Sequence, residues 1–177
     1  MACQCQCRCN RCVCCCRGAT GPQGIQGPVG PTGPAAAPAY GGLFSDPAAP
    51  AFMTLVADTA DTLTNLSEER PGEDVLYGPD SITIEQTGTY LVGYAVSYGF
   101  DAPAEMQFFL SVNDLPIGST LVENDNDPAL GIQSVSRSAL LALDAGDVLQ
   151  LAVRPVGASG ELFLPGGGTE LNVVQIG

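Results

Sequence analysis

Apolar and polar positions alternate along much of the C-terminal three quarters of the chain, and the longest alternation lies between Gly88 and Phe100. Within that run Tyr and Val occupy every second position from Tyr90 to Tyr98, and Leu91 and the small residues Gly, Ala and Ser lie between them. A period of two directs successive side chains to opposite faces of a β-strand. We therefore predict a strand whose tyrosine face lies in a core or at an interface between chains.

Shorter runs of the same kind recur, with turn residues between them. Asn-Asp at 113–114, Asp-Ala-Gly-Asp at 144–147 and Pro-Gly-Gly-Gly at 165–168 are typical turn sequences. No window has the period of an amphipathic helix. About ten short strands at regular spacing indicate an all-β sandwich of the jelly-roll kind. The predicted strands cover residues 40–44, 52–56, 75–77, 81–85, 88–100, 106–112, 140–143, 148–153, 161–164 and 171–176.

A glycine occupies every third position from residue 18, and proline follows four of these six glycines. A collagen-like triple helix needs this spacing because only glycine fits at its crowded axis. The alternative is a Gly/Pro-rich linker with accidental phase. We favour a short triple helix over residues 18–35, roughly 55 Å long at the polyproline II rise, and hence a homotrimer. Its axial glycines are Gly18, Gly21, Gly24, Gly27, Gly30 and Gly33.

Residues 1–17 hold all eight cysteines and three of the six arginines, Arg8, Arg11 and Arg17. Closely spaced cysteines bind soft metals as thiolates and form disulfides as thiols, and a reduced tail is the third alternative. A neighbouring triple helix favours inter-chain disulfides, so we predict a cysteine head (residues 1–17) without a metal. We expect one of two roles for its arginines. They lower the pKa values of the thiols and contact the acidic residues after position 18 of a neighbouring trimer, or they only keep the head soluble. The cysteines are Cys3, Cys5, Cys7, Cys9, Cys12, Cys14, Cys15 and Cys16.

Composition excludes several classes of function. The chain has no His and no Lys and a net charge of −13, which argues against His-dependent catalysis, Schiff-base chemistry and nucleic-acid binding. From residue 18 onward three arginines face nineteen acidic residues. Residues 67–74 and 123–127 read as acidic loops, which either bind a hard cation or carry solvated charge; we favour solvated charge. We predict no enzyme activity and no cofactor.

The N-terminus has no apolar core of a signal peptide, and no stretch reaches the ~18 apolar residues of a membrane span. We therefore expect neither a membrane partner nor export by a signal peptide.

Residues 18–177 resemble the collagen-like exosporium glycoproteins of spore-forming bacteria, the BclA type. This resemblance implies a C-terminal trimeric jelly roll similar to tumour necrosis factor and complement-q heads. It also implies O-linked sugar on Thr20 and Thr32, and exposure on the spore surface after mother-cell lysis. The residues that carry it are Ala39-Tyr40-Gly41, Gly88-Thr89-Tyr90-Leu91, Phe109-Leu110-x-Val112-Asn113 with Pro116-Ile117-Gly118-Ser119, Ala145-Gly146-Asp147-Val148-Leu149, and Gly167-Gly168-Thr169-x-Leu171-Asn172-Val173.

Two departures from the family refine the expectation: the triplet run is short, and the cysteine head replaces an apolar leader. We expect a cysteine head (1–17), a triple helix (18–35), a linker (36–39) and a jelly-roll domain (40–177). The predicted function is a structural spore-surface homotrimer of the exosporium or spore coat. Disulfides in its head would join it into fibres, or to a cysteine-rich coat or exosporium protein. The alternative is an adhesive or lectin-like trimer.

Overall fold

The computed structural model describes residues 21–27 and 37–177. The chain divides into two units, residues 1–35 and 36–177. In the first unit, residues 21–27 have no helix or strand hydrogen bonding, and all seven are exposed. In the second unit, Ala39 of the predicted linker is fully buried and belongs to the core.

The second unit is built almost entirely from strands, as the alternation predicts. Two short 3₁₀ helices, Gly118–Thr120 and Pro128–Leu130, interrupt them. No helix in the described part of the chain is long and apolar enough to cross a membrane. The strands are β1 (Tyr40–Phe44), β2 (Ala51–Leu55), β3 (Asp61–Thr62), β4 (Glu68–Glu69), β5 (Val75–Gly78), β6 (Ser81–Ile84), β7 (Gly88–Phe100), β8 (Ala104–Val112), β9 (Leu115–Pro116), β10 (Val122–Asn126), β11 (Gln133–Leu143), β12 (Val148–Val156), β13 (Gly160–Leu164) and β14 (Thr169–Gln175).

The first sheet is organised around β7. Its order is β2-β13-β7-β14-β1-β4, with β11 paired along the other edge of β7. Both β13 and β14 pair with β7, so the Pro-Gly-Gly-Gly run at 165–168 interrupts what is otherwise one long strand. In the same way β1 and β2 are two parts of the neighbouring strand, and the segment between them lies beside the 165–168 run. There Ser45 and Thr169 exchange hydrogen bonds of 2.9 and 3.1 Å. Four long neighbouring strands therefore form one broad face.

The second sheet covers the inner face of the first. Its order is β10-β8-β12-β6-β5, with β3 beside β12 and β9 beside β8. Large apolar side chains from both sheets fill the space between them, including Phe108, Leu110, Leu149 and Leu151 of the second sheet. This arrangement is a jelly-roll sandwich, and the predicted fold class is confirmed for the described residues.

The tyrosine face of β7 lies in this core. Tyr90 and Tyr98 are fully buried, and Tyr94 is 3% exposed. The Tyr94 hydroxyl lies 2.9 Å from the carbonyl oxygen of Phe108 and 2.7 Å from that of Thr120, so it can donate to either. The tyrosine face therefore lies in the core, which is one of its two predicted locations, and Tyr94 links the two sheets.

The turn predicted at Asn113 and Asp114 is confirmed, since both residues have positive φ, 51° and 65°, and β8 pairs with β9 across them.

The prediction of an acidic loop at 123–127 is wrong, because residues 122–126 form β10 against β8. Alternating acidic and amide residues have low strand propensity, but backbone pairing along β8 overrides it.

The same kind of tertiary pairing extends β11 well before the predicted start at residue 140. Its polar half, Gln133 to Ser138, pairs with the second half of β7. The two-residue strands β3 and β4 are too short to show a period.

Candidate assembly interface

Most residues predicted to act in assembly lie outside the described residues. These are the eight cysteines of the head, Cys3 to Cys16, the glycines Gly18, Gly30 and Gly33, and the two threonines Thr20 and Thr32. The remaining three triplet glycines are described. A Cβ at Gly21, Gly24 or Gly27 would meet no atom within 4 Å. Contacts within one chain therefore give no reason for glycine at these positions.

The outward face of the first sheet is a second candidate for assembly. Along β7 the residues that alternate with the buried tyrosines point away from the core, and the registers with β11 and β14 place their partners on the same face. In a soluble single chain, this face should be polar. Two groups of exposed apolar side chains occupy its ends instead.

At one end a row of apolar side chains crosses four neighbouring strands. Leu140 of β11 lies opposite Leu91 of β7, Leu91 opposite Val174 of β14, and Val174 opposite Tyr40 of β1. Their exposed fractions are 62%, 44%, 43% and 40% in the same order. We call these four residues the terminal row, because Thr89 beside them donates its N–H to the carbonyl of Gly177 at 2.6 Å. Exposed apolar surface that is continuous across strands is typical of an interface.

Small and polar residues occupy the middle of the face. Gly93, Ala95 and Ser97 of β7 lie opposite Ser138, Ser136 and Ser134 of β11. The absence of bulky side chains at these positions leaves a shallow depression, which Asn172 and Glu170 of β14 also line. A second surface could approach the backbone closely here.

One ion pair borders the depression. The Arg70 Nη2 atom lies 2.8 Å from Glu170 Oε2, and the guanidinium carbon lies 5.4 Å from the centre of the Phe44 ring. Both charged side chains are nearly half exposed, so the pair contributes little to the stability of a single chain. Glu170 nevertheless reaches the face with its charge balanced.

At the other end of the face a second group of apolar side chains meets above Gly99 of β7. Phe163 of β13 lies opposite both Gly99 and Phe52 of β2, with the two Phe ring centres 5.0 Å apart. A Cβ at Gly99 would lie 3.3 Å from Ile132 and 3.9 Å from Phe163. Glycine therefore lets these two side chains converge. We call Phe52, Leu130, Ile132 and Phe163 the distal patch; Phe52, Leu130 and Ile132 are exposed by 61%, 69% and 50%.

Burial affects the titration of the three tyrosines on the inner side of β7. Burial raises the pKa of Tyr94 well above its ordinary value, and the nearby Arg137 lowers it by a smaller amount. Burial also raises the pKa of Tyr90 and of Tyr98. These hydroxyls stay protonated inside the sandwich and cannot serve as exposed nucleophiles. Among residues 21–27 and 37–177, no three His, Cys, Asp or Glu side chains are grouped so as to hold a metal ion.

Sequence reasoning found the core face of these strands and missed the outward one. The signal was present, since Leu91, Leu140 and Val174 are apolar residues on the side of each strand that should be polar. Strands that are apolar on both faces indicate burial on both faces. However, the sequence does not show how the strands pair, so the alignment of these positions across four strands could not be predicted.

Comparison with solved structures places the fold among tumour necrosis factor proteins. The structure of the Eiger TNF from S. frugiperda is similar at a TM-score of 0.61 and 15% sequence identity, covering 80% of this chain and 94% of that one. Murine APRIL at pH 8.0 is similar at a TM-score of 0.58 and 14% identity, covering 79% and 100%. No family model and no curated protein sequence matches the chain. The second unit is thus a TNF-like jelly roll.

Proposed function

We propose that this chain is a non-enzymatic structural protein of the bacterial spore surface. It forms a homotrimer through its TNF-like domain, a short triple helix extends from the trimer, and the cysteine heads join trimers into fibres by disulfides. The observation that carries this proposal is the terminal row, Tyr40, Leu91, Leu140 and Val174, because it leaves an apolar strip uncovered in a single chain.

The row supports self-association through its composition and its position. It crosses the four long strands of one sheet face, and the depression beside it lets another chain approach. Burying the rest of one of these partly exposed leucines would contribute about 1–2 kcal/mol per chain. A trimer repeats each contact three times, so burial of this strip would favour association at all three interfaces.

The glycine triplets support a trimer independently of the fold. A triple helix of three parallel chains would supply the crowded axis that requires glycine at every third residue. The row lies at the end of the domain where residue 40 begins the first strand. Association of three domains would hold three triplet segments at a high local concentration, which offsets the entropy of ordering so short a helix.

The spore-surface assignment rests on the resemblance to BclA-type glycoproteins over residues 18–177. It would also bring a chain with eight cysteines into oxidising conditions at the spore surface. Once the mother cell lyses, three heads at one end of a rod would carry up to 24 thiols for cross-linking, from eight in each chain. A cysteine-rich coat or exosporium protein is the second partner for these thiols.

The experiment is electron microscopy and gel electrophoresis of the purified full chain, with and without reductant. We expect fibres and a ladder of trimer multiples when oxidised, and separate trimers when reduced. A monomer in both conditions would reject the proposal. Fibres formed by a variant with all eight cysteines replaced by serine would assign assembly to another contact.

A second candidate function, an adhesive or lectin-like trimer, is favoured by one observation. Phe52 is 61% exposed and stacks at a tilt on Phe163, so the domain has an aromatic surface for an apolar or sugar ligand. Labelled glycans and apolar peptides tested against the full chain and a Phe52→Ser variant would decide this case. Binding that depends on Phe52 would support it.

A further inference from the structure

The assembly proposed above does not use the distal patch, which lies well away from the terminal row. It lies at the opposite end of β7 from the terminal row, eight residues and about 26 Å along the strand. The chain enters the domain at the end marked by Tyr40. The patch therefore occupies the end of the domain opposite to Tyr40.

The structure holds this patch in place. Asn126 at the end of β10 donates through its amide to the carbonyls of Phe100 and Ala102, at 3.0 and 2.8 Å. Gln133, which begins β11, donates to the Asn126 side chain at 3.2 Å. These bonds fix both ends of the loop that carries Leu130 and Ile132. An apolar loop that is exposed and fixed by buried amides is typical of a preformed contact surface.

Three carboxylates border the patch. Glu161 precedes Leu162 and Phe163 on β13, and its N–H is bound by Asp101 at 2.8 Å. Asp127 caps the 3₁₀ helix that contains Leu130, accepting from Ala129 at 3.0 Å. In the described part of the chain the salt bridge joins Arg70 and Glu170, so none of these three carboxylates is paired. The surface is apolar at its centre and negative at its border.

We infer that the distal patch binds the cysteine head of a neighbouring trimer, an inference that rests on the proposed fibre. The head carries Arg8, Arg11 and Arg17, no acidic residue, and the apolar Val13 between them. Its charge is complementary to the border of the patch, and charge complementarity selects partners and fixes register.

This contact joins two different surfaces, the head of one trimer and the far end of the next. Head-to-tail contacts of this kind do not close on themselves, so they propagate into a filament with a direction. Docking would hold the head while its cysteines form disulfides with the heads or with a cysteine-rich partner. Docking alone would be weak and reversible, so trimers would separate in reductant, and the disulfides would make the filament lasting.

The test measures binding of a head peptide to the full chain in reducing buffer. The probe is a fluorescent peptide of residues 1–17 with its eight cysteines replaced by serine. The receptor is the full chain with Arg8→Gln, Arg11→Gln and Arg17→Gln, so that its own heads do not compete. Fluorescence anisotropy gives the affinity, and sedimentation gives the mass of the receptor.

We expect Phe52→Ser in the receptor to weaken peptide binding by about tenfold or more, since one aromatic side chain is lost from the contact. The matched control is Leu76→Ser on β5, a residue 55% exposed in the second sheet, and it should leave the affinity unchanged. Glu161→Gln should weaken binding severalfold, whereas Glu85→Gln in the loop between β6 and β7 should not. A peptide with its three arginines changed to glutamine should bind at least about tenfold more weakly.

Other outcomes would overturn the inference. A receptor that does not bind the peptide, or a Phe52→Ser receptor that binds it normally, removes the docking site. Dissociation of Phe52→Ser into monomers would mean that a second domain of the same trimer covers the patch. Sedimentation of the parent receptor reports separately on the proposed function, because a monomeric parent contradicts the trimer whether or not the peptide binds.

Discussion

Leu91 of β7 lies directly opposite Leu140 of β11, and both side chains point away from the core, exposed by 44% and 62%. Cross-strand pairs of large apolar residues stabilise a sheet when another surface covers them. No part of the chain that the structure describes covers this pair. Its exposure, more than the fold itself, is the reason to look for a second copy of the chain.

Leu140→Ser should therefore weaken the trimer and leave the domain folded. Leu140 is 62% exposed, so its loss removes about 1–2 kcal/mol of burial at each contact. We expect the trimer to dissociate at a protein concentration at least about tenfold higher than the parent, measured by sedimentation in reductant. Leu115→Ser is the control, because Leu115 is 68% exposed on β9 in the second sheet. A Leu140→Ser trimer as stable as the parent would contradict the assigned interface.

Tyr94→Phe tests the connection between the two sheets. The Tyr94 hydroxyl can donate to the carbonyl of Phe108 or to that of Thr120, and its loss should cost about 1–2 kcal/mol of unfolding free energy at neutral pH. Urea unfolding followed by circular dichroism measures this change. An unchanged midpoint would mean that water replaces the lost donor.

The same residue should make the domain sensitive to alkali. Burial raises the pKa of Tyr94 in the folded domain, so its contribution is complete below the unfolded value of about 10. As the pH rises above that value, the unfolded chain loses a proton that the folded domain keeps, and stability falls. Tyr94→Phe should therefore lose less stability than the parent between about pH 9 and pH 11. Equal losses in both proteins would contradict this assignment.

Gly166→Ala tests the interruption of the long strand in the first sheet. A Cβ at Gly166 would clash with the carbonyl oxygen of Pro47 and lie 2.8 Å from that of Asp46, and these backbone atoms cannot move aside easily. We expect a loss of roughly 1–3 kcal/mol in unfolding free energy. Gly118→Ala is the control, since a Cβ there meets nothing within 4 Å. Similar stability of both variants would show that the two interruptions do not pack together in solution.

Much of the jelly roll was predictable because it rests on the period of two. The alternation located β7 at its observed bounds, Gly88–Phe100. The Asn113-Asp114 sequence located the turn between β8 and β9, since asparagine and aspartate tolerate positive φ. Where side chains alternate between core and solvent, a strand can be predicted from the sequence alone.

The strand β10 and the first half of β11 needed tertiary information. β10 contains Glu123, Asn124 and Asp125, and these form a strand because the edge of β8 supplies backbone partners. The terminal row was unpredictable for a related reason, since its four residues are distant in sequence and meet only in the register of the sheet. Pairing between strands, which a single sequence does not display, determines both features.

Gly27→Val tests whether the triplets form a triple helix. Residue 27 is exposed in one chain, and a side chain there meets nothing within 4 Å, so a single chain should tolerate valine without loss. In a triple helix the same side chain would be forced into the crowded axis and would disrupt the rod.

We expect circular dichroism of the full-length parent to show a low-temperature transition of the collagen type that Gly27→Val removes. The unfolding of the jelly roll at higher temperature should remain unchanged. Gln26→Val is the matched control, because position 26 is not an axial position of the triplet, and it should keep the transition. If Gly27→Val melts like the parent, the triplets act only as a flexible linker, and the trimer depends on the domain and the cysteines alone.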